Sequence, residues 1–201
     1  FHPALKFAAS SLMARKKLAE LQAAIAAKPD NDFAIATIAR EFAALAAKWK
    51  EPPKDALDTL VLNAVDKTPL DNFEQLEYLP FDPAKKRTES TLRGPDGKVF
   101  TVTKGAPHVI LDMCNGNKQS VGEKFNTEVD DLANRGIRAL AVAVQTQGEA
   151  MYMVGLLTFL DPPRPDTKET IARAGQYGVQ VKMITGDHGA IAKETARQLG
   201  M

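Results

Sequence analysis

The 201 residues allow one large domain, or one domain with part of a second; a 44% hydrophobic and 25% charged composition excludes collagen-like, disulfide-scaffold and wholly disordered chains. Lysine and arginine total 26 against 25 acidic residues, so no net field draws the chain to nucleic acid or to an anionic membrane surface. The single cysteine, Cys114, excludes an internal disulfide and a thiolate metal cluster and reads as packing in a reducing compartment. No window offers the roughly 20 apolar residues of a membrane-spanning helix, and the start lacks the pattern of a signal peptide. A chain running from Phe1 to Met201, just after a glycine, is expected to be a segment of something longer.

In chain order, the alanine-rich residues 4–27 space Leu5, Leu12, Leu18, Leu21 and Ile25 as a helix does. Lys28-Pro29-Asp30-Asn31 breaks it, and Ile35, Ile38, Phe42, Leu45 and Trp49 mark a second amphipathic helix. After Glu51-Pro52-Pro53, residues 54–65 read as a third helix, with Asp55 and Asp58 at the end where its dipole favours acids. Beyond Pro69 the texture changes to short β-branched or aromatic runs (74–81, 90–94, 98–104, 139–145 and 151–159) separated by turn residues, Pro95-Asp96-Gly97 being a good hairpin turn. Helices are expected over 106–113 and 122–133, giving an α+β domain: an antiparallel sheet flanked by helices. Asp161-Pro162-Pro163-Arg164-Pro165 forms a stiff linker. Helix 167–176, apolar strand 179–184 and helix 190–199 then suggest a partial Rossmann-like α/β unit. The expected organisation is a helical N-terminal segment (1–50) without assigned role, a central domain (51–160), and a hinge with part of a second domain (161–201).

Three groups of residues could carry chemistry. Thr185-Gly186-Asp187 ends the predicted strand 179–184 and precedes a helix; ligands of open α/β sheets gather at such strand ends, and amides near a helix start favour phosphate, although a plain strand-to-helix turn reads the same. Lys104-Gly105-Ala106-Pro107 places an ammonium beside a glycine at a strand end, either in a pocket for a charged ligand or simply solvated. Phe81, followed by Lys85, Lys86 and Arg87, pairs an aromatic face with cations, which suits a stacked base and its phosphates, or else is a core ring beside a solvated charge run. His2, His108 and His188 lack metal-ligand spacing, and no Walker loop, GxSxG elbow or GxGxxG fingerprint is present. Asp66-Lys67-Thr68-Pro69 begins like a phosphorylated Asp-Lys-Thr-Gly segment but trails a helix and meets a proline, so Asp66 is rejected as a phospho-acceptor.

Taken in order, Asp55-Ala56-Leu57-Asp58, Leu79-Pro80-Phe81-Asp82-Pro83 with Lys86-Arg87-Thr88, Lys104-Gly105-Ala106-Pro107, Arg135-Gly136-Ile137-Arg138 running into Ala139-Leu140-Ala141-Val142-Ala143, Asp161-Pro162-Pro163-Arg164, and Met183-Ile184-Thr185-Gly186-Asp187 resemble the P-type ATPases. The Phe-Asp-Pro and Val-Lys-Met-Ile-Thr-Gly-Asp segments are most similar to the proton-pumping plasma-membrane branch. The resemblance implies the nucleotide-binding domain and the start of the phosphorylation domain of a pump. Such a pump uses ATP with magnesium and an aspartyl-phosphate, and partners with membrane and actuator parts and the rest of the phosphorylation domain. It implies that Phe81 stacks on adenine and that Lys86, Lys104 and Gly105 line the nucleotide pocket with Asp58 near the base or ribose; Arg138 is counted among the nucleotide-binding residues. Thr185, Gly186 and Asp187 would lie on the phosphate and magnesium side, with Asp161 and Arg164 in the hinge.

Two departures stand out. Val144 occupies a position where the family commonly has an arginine, leaving Arg138 or Lys86 to compensate, and the phosphorylated aspartate and the later Gly-Asp-Gly-x-Asn-Asp segment are absent, so the piece alone is expected to bind nucleotide without completing transfer. A soluble phosphatase-like hydrolase and a non-catalytic nucleotide-binding module are the alternatives. With Lys104 read as a flexible exposed ammonium, Lys104→Ala is expected to weaken nucleotide binding without unfolding the domain.

Overall fold

The computed structural model describes residues 32–53 and 55–201. The helix expected over 4–27 lies outside them, as do His2 and Lys54. The first described helix, α1 (Asp32–Leu45), ends before Trp49, which the spacing had included. Its last turn tightens, Ala47 N donating to Ala44 O at 3.0 Å, and the chain leaves the helix axis there. Helix α2 (Ala56–Asn63) starts where the acids predict a start: Asp55 is the N-cap, its Oδ1 accepting the amide of Asp58 at 2.7 Å. Such a cap contributes about 1 kcal/mol. A 3-10 turn over Thr68–Asn72 follows, begun by Asp66 Oδ1 accepting the Thr68 amide; Asp66 thus serves a turn after a helix.

Five strands form one sheet in sequential order: β1 (Glu74–Asp82), β2 (Arg87–Arg93), β3 (Val99–Gly105), β4 (Arg138–Thr146) and β5 (Met151–Phe159). It is antiparallel, as expected, and β1 and β5 are its edges. The β2–β3 hairpin turns at Pro95-Asp96-Gly97, with Asp96 Oδ1 accepting the Lys98 amide at 3.1 Å and Gly97 at φ +79°. Thr88, Ser90 and Leu92 of β2 point to a buried face, and Arg87, Glu89 and Thr91 to a half-buried one.

Helix α1 packs on the buried face of the sheet. Phe42 meets Phe100 edge-on with ring centroids 6.3 Å apart, and Phe73 meets the same ring from another side at 5.8 Å. Hydrogen bonds reinforce this apolar seam: Thr88 Oγ1 donates to Ala46 O and Gln75 Nε2 to Ala47 O, so two strands satisfy carbonyls that the helix end leaves open. Helix α3 (Pro107–Met113) follows β3 with proline at its first position. Cys114 just beyond is fully buried, and burial pushes its thiol up to about 12, in keeping with a packing role.

The described chain divides into two compact units: residues up to Ser120 with Leu140–Leu157, and Val121–Ala139 with Thr158–Met201. The first carries the sheet. In the second, most of α4 (Lys118–Asn134) accompanies α5 (Thr167–Gln176) and α6 (Gly189–Leu199). Both flanking helices of the expected α/β unit are present, but the strand between them is not formed. Residues 179–184 pair with nothing in a sheet, and Val179, Val181 and Ile184 are 57%, 41% and 97% exposed. A parallel strand needs neighbours for its amides and for both faces of its side chains, and the described residues supply none.

Candidate functional site

The sheet unit gathers the first set of predicted residues through a β-bulge. Leu79 faces Glu89 and Asp82 faces Arg87, so Pro80 and Phe81 together oppose Thr88; Thr88 in turn faces Lys104. The bulge sets Phe81 opposite Thr88 in the strand pairing, but its ring stands with Arg87 and Glu89 and not on the covered face that holds Thr88 and Lys104. The Phe81 ring is 56% exposed, which a core ring would not be. It lines a hollow of about 170 Å³ together with Leu79, Pro80, Asp82, Lys85, Arg87 and Glu89, where Arg87 Nε donates to Glu89 Oε2 at 3.4 Å. The cations at this hollow are therefore Lys85 and Arg87, two of the three that the sequence pairs with Phe81 as partners for phosphates, while the family resemblance singles out Lys86. The alternation of β2, which sends Arg87 and Glu89 to one face, is the signal that favours Arg87.

Lys86 does not line the hollow; it shapes it. Its backbone is left-handed (φ 53°), its amide donates to Asp82 O at 2.6 Å, and its carbonyl accepts the Ala106 amide at 3.0 Å. The β1–β2 turn is thereby tied to the end of β3. Gly105 makes this possible, because a β-carbon there would collide with Lys86 O and lie 2.6 Å from Arg87 Cβ.

Lys104 is not the exposed ammonium expected from the sequence. Only 3% of it is accessible, and its Nζ sits 2.8 Å from Asp58 Oδ1 and donates to Ala46 O at 2.7 Å. Burial lowers its pKa, while the Asp58 carboxylate opposes that shift. The reason is its register: Lys104 shares the covered face of β2–β3 with Thr88, so it points beneath α1 and α2. Asp58, predicted near the base, is itself buried as its partner. The same acidic surroundings act on Tyr78, whose phenol is pushed up to about 12, first by burial and then by Asp58, Asp55 and Glu51.

The second unit assembles another part of the predicted set. Arg138 donates from Nε and Nη2 to the two carboxylate oxygens of Asp187 at 3.2 and 2.7 Å, and from Nη1 to Asp161 Oδ2 at 3.0 Å. Arg138 is thus engaged with acids, where the resemblance implied a nucleotide contact. Thr185 Oγ1 accepts the Asp187 amide at 3.0 Å, closing the Thr-Gly-Asp turn. Arg164 is exposed, with its carbonyl capping the start of α5 by accepting the Thr167 amide.

The Arg138 fork holds the Asp187 carboxyl below its ordinary value, chiefly by hydrogen bonding. The pair is partly exposed and screened, so its contribution to stability is small. The sign follows from the lowered pKa: the contribution is present above the ordinary carboxylate range and is lost as pH falls through the depressed folded value. Carbon-detected titration of Asp187 should give a pKa below 3.8, and Arg138→Gln should return it towards that value; an unchanged titration would remove the fork from solution.

No cluster of three or more His, Cys, Asp or Glu side chains suited to a metal occurs among the described residues. Magnesium is held by one or two carboxylates with substrate phosphates. Asp187, the acid of the Thr-Gly-Asp turn, accepts one hydrogen bond from Arg138 on each oxygen and is partly exposed, which leaves lone pairs on both for an ion.

The family model for the P-type ATPase cytoplasmic domain N matches residues 30–166, a span that takes in α1 as well as the whole sheet. "Probable proton ATPase 1A" of Leishmania donovani is 56% identical over 160 residues, 79% of this chain and 16% of that protein. "Plasma membrane ATPase 1" of Schizosaccharomyces pombe is 40% identical over 167 residues, 79% of this chain and 18% of its own length. The chain therefore spans less than a fifth of these two relatives, and no helix among its described residues is long and apolar enough to cross a membrane. With the expected sheet in place and the family model matching 30–166, this chain belongs to the P-type ATPases and carries their cytoplasmic domain N.

Proposed function

We propose that the sheet unit is the adenine-nucleotide-binding part of a pump that hydrolyses ATP through an aspartyl-phosphate to export protons, working at the cytoplasmic face of the plasma membrane. The observation that carries this reading is the half-exposed Phe81 ring, raised by the bulge beside Lys85 and Arg87. An aromatic face and two cations at one hollow suit a base and its phosphates. The hollow is smaller than the roughly 300 Å³ at which pockets that enclose a ligand begin. Much of the nucleotide would therefore remain in solvent, available to other parts of the pump.

In this reading residues 51–160 bind nucleotide, while 161–201 contribute the hinge, through Asp161 and Arg164, and the start of the phosphorylation domain. Lys104 and Asp58 form the floor under the site, and Gly105 and Lys86 set its turn. Thr185, Gly186, Asp187 and Arg138 belong to the phosphate side. Magnesium arrives as part of the nucleotide substrate. The unpaired segment 179–184 and the exposed apolar side chains on it await strands supplied elsewhere in the pump.

Titration with ATP, ADP and GTP, with and without magnesium, followed by protein NMR, tests the reading. Shifts should centre on Phe81, Lys85 and Arg87. Phe81→Ala should weaken adenine-nucleotide binding by about 1–3 kcal/mol, or roughly 5- to 150-fold, with almost no loss of stability because the ring is exposed. No shift at millimolar nucleotide would overturn it.

A further inference from the structure

We infer that Asn115-Gly116 is a site of spontaneous deamidation, restrained by the edge of the sheet and able to open that edge once it has reacted. Asn115 is the one asparagine in the chain followed by glycine. Glycine has no β-carbon to obstruct attack of its amide nitrogen on the preceding side chain.

The pair lies against β5, an edge strand. The Met151 amide donates to Asn115 Oδ1 at 3.1 Å, and the Gly116 amide donates to Met151 O at 2.9 Å. Two residues on, the Met153 amide donates to Asn117 Oδ1 at 2.8 Å, and Asn117 Nδ2 donates to Met153 O at 3.1 Å. Side chains and one amide thus satisfy, in steps of two, the backbone groups that an edge strand turns outward. The Tyr152 ring packs over the glycine: a β-carbon at residue 116 would lie 2.7 Å from it, so a larger residue would have to displace the ring. The edge uses an acceptor at residue 115 and the ring sits against a bare residue 116, which together leave the reactive pair in place.

In the reaction the Gly116 nitrogen loses its proton to base and bonds to Asn115 Cγ, and the side-chain nitrogen departs as ammonia. Water then opens the cyclic imide at either carbonyl, giving aspartate or isoaspartate. In the folded protein the Gly116 N–H is committed to Met151 O, and the Asn115 amide is held by the Met151 amide, so ring closure waits for local opening. Aspartate would keep the acceptor for the Met151 amide. Isoaspartate routes the main chain through Cγ, adds a backbone atom before Gly116, and pulls its amide away from Met151 O. The β5 edge then carries unpaired groups able to join another strand.

Incubation of the purified chain at mildly alkaline pH, with peptide mapping for isoaspartate, tests this. The folded chain should react at residue 115 at least about tenfold more slowly than the chain in denaturing urea. Asn117→Ala, which removes the neighbouring half of the clip, should react several-fold faster than the parent. If that variant does not fold, the parent rate should instead climb with urea below the unfolding transition. Reacted chain should self-associate on size exclusion, and Asn115→Gln should not. Equal rates in folded and unfolded chain, no acceleration on loosening the clip, or earlier reaction of another asparagine in the folded protein would overturn the inference.

Discussion

Replacing Lys104 with alanine should destabilise the sheet unit by about 3–5 kcal/mol, the usual cost of removing one partner from a buried ion pair. The Asp58 carboxylate would be left buried without its cation, and Ala46 O would keep only the Thr88 hydroxyl. The loss is not simply one of charge, since the ammonium joins α2, the end of α1 and the third strand at a single point. Changing both partners to apolar residues of similar size, Lys104→Met with Asp58→Leu, should recover most of the stability, because no charge is then stranded. Urea unfolding of the single and double variants measures both quantities. A single-variant loss below about 1 kcal/mol would mean that water screens the pair as it screens surface pairs.

This result reverses what the sequence suggests for Lys104, and the reason is instructive. Strand 98–104, the glycine and the following helix were all legible from local pattern, but which face of the sheet Lys104 occupies depends on pairing with Thr88 and on the helices that cover that side. Neither is encoded near residue 104. Asp58 shows the same limit: its place at a helix start was readable from Asp55-Ala56-Leu57-Asp58, its partner 46 residues away was not. Local chemistry was read well where it acts locally, as at Pro95-Asp96-Gly97. It failed for 179–184, whose apolar composition predicts a strand that forms only with neighbours.

At the candidate site, Phe81 was legible by residue type, while its companions were decided by how the strands face. The alternation of β2 puts Arg87 and Glu89 on the face where Leu79 and Phe81 line the hollow, and Lys86, left-handed in the turn before β2, is not among the lining residues. Register is a property of two strands read together, so a single strand's sequence leaves it open. Arg138 illustrates the converse. Its basic character was noted, but Asp161 and Asp187, 23 and 49 residues further on, claim all its described hydrogen bonds.

Gly105→Ala is expected to damage stability and binding together, because the space it would fill belongs to backbone. The new β-carbon would run into Lys86 O and lie 2.6 Å from Cβ and 2.8 Å from Cα of Arg87. Rigid main chain cannot give way as the tip of a flexible side chain can, so the β1–β2 turn must move off β3. Overpacking of this kind costs about 1–3 kcal/mol. The displacement would break the Ala106 to Lys86 hydrogen bond and carry Lys85 and Arg87 away from the Phe81 ring. Gly97→Ala is the matching control: it meets no atoms but strains a residue at φ +79°, so it should lower stability by a similar amount and leave nucleotide affinity intact. Calorimetric titration of both variants with ATP separates the two effects. If Gly105→Ala binds as tightly as the parent, or if both variants lose affinity equally, the turn does not position the cations beside the Phe81 ring.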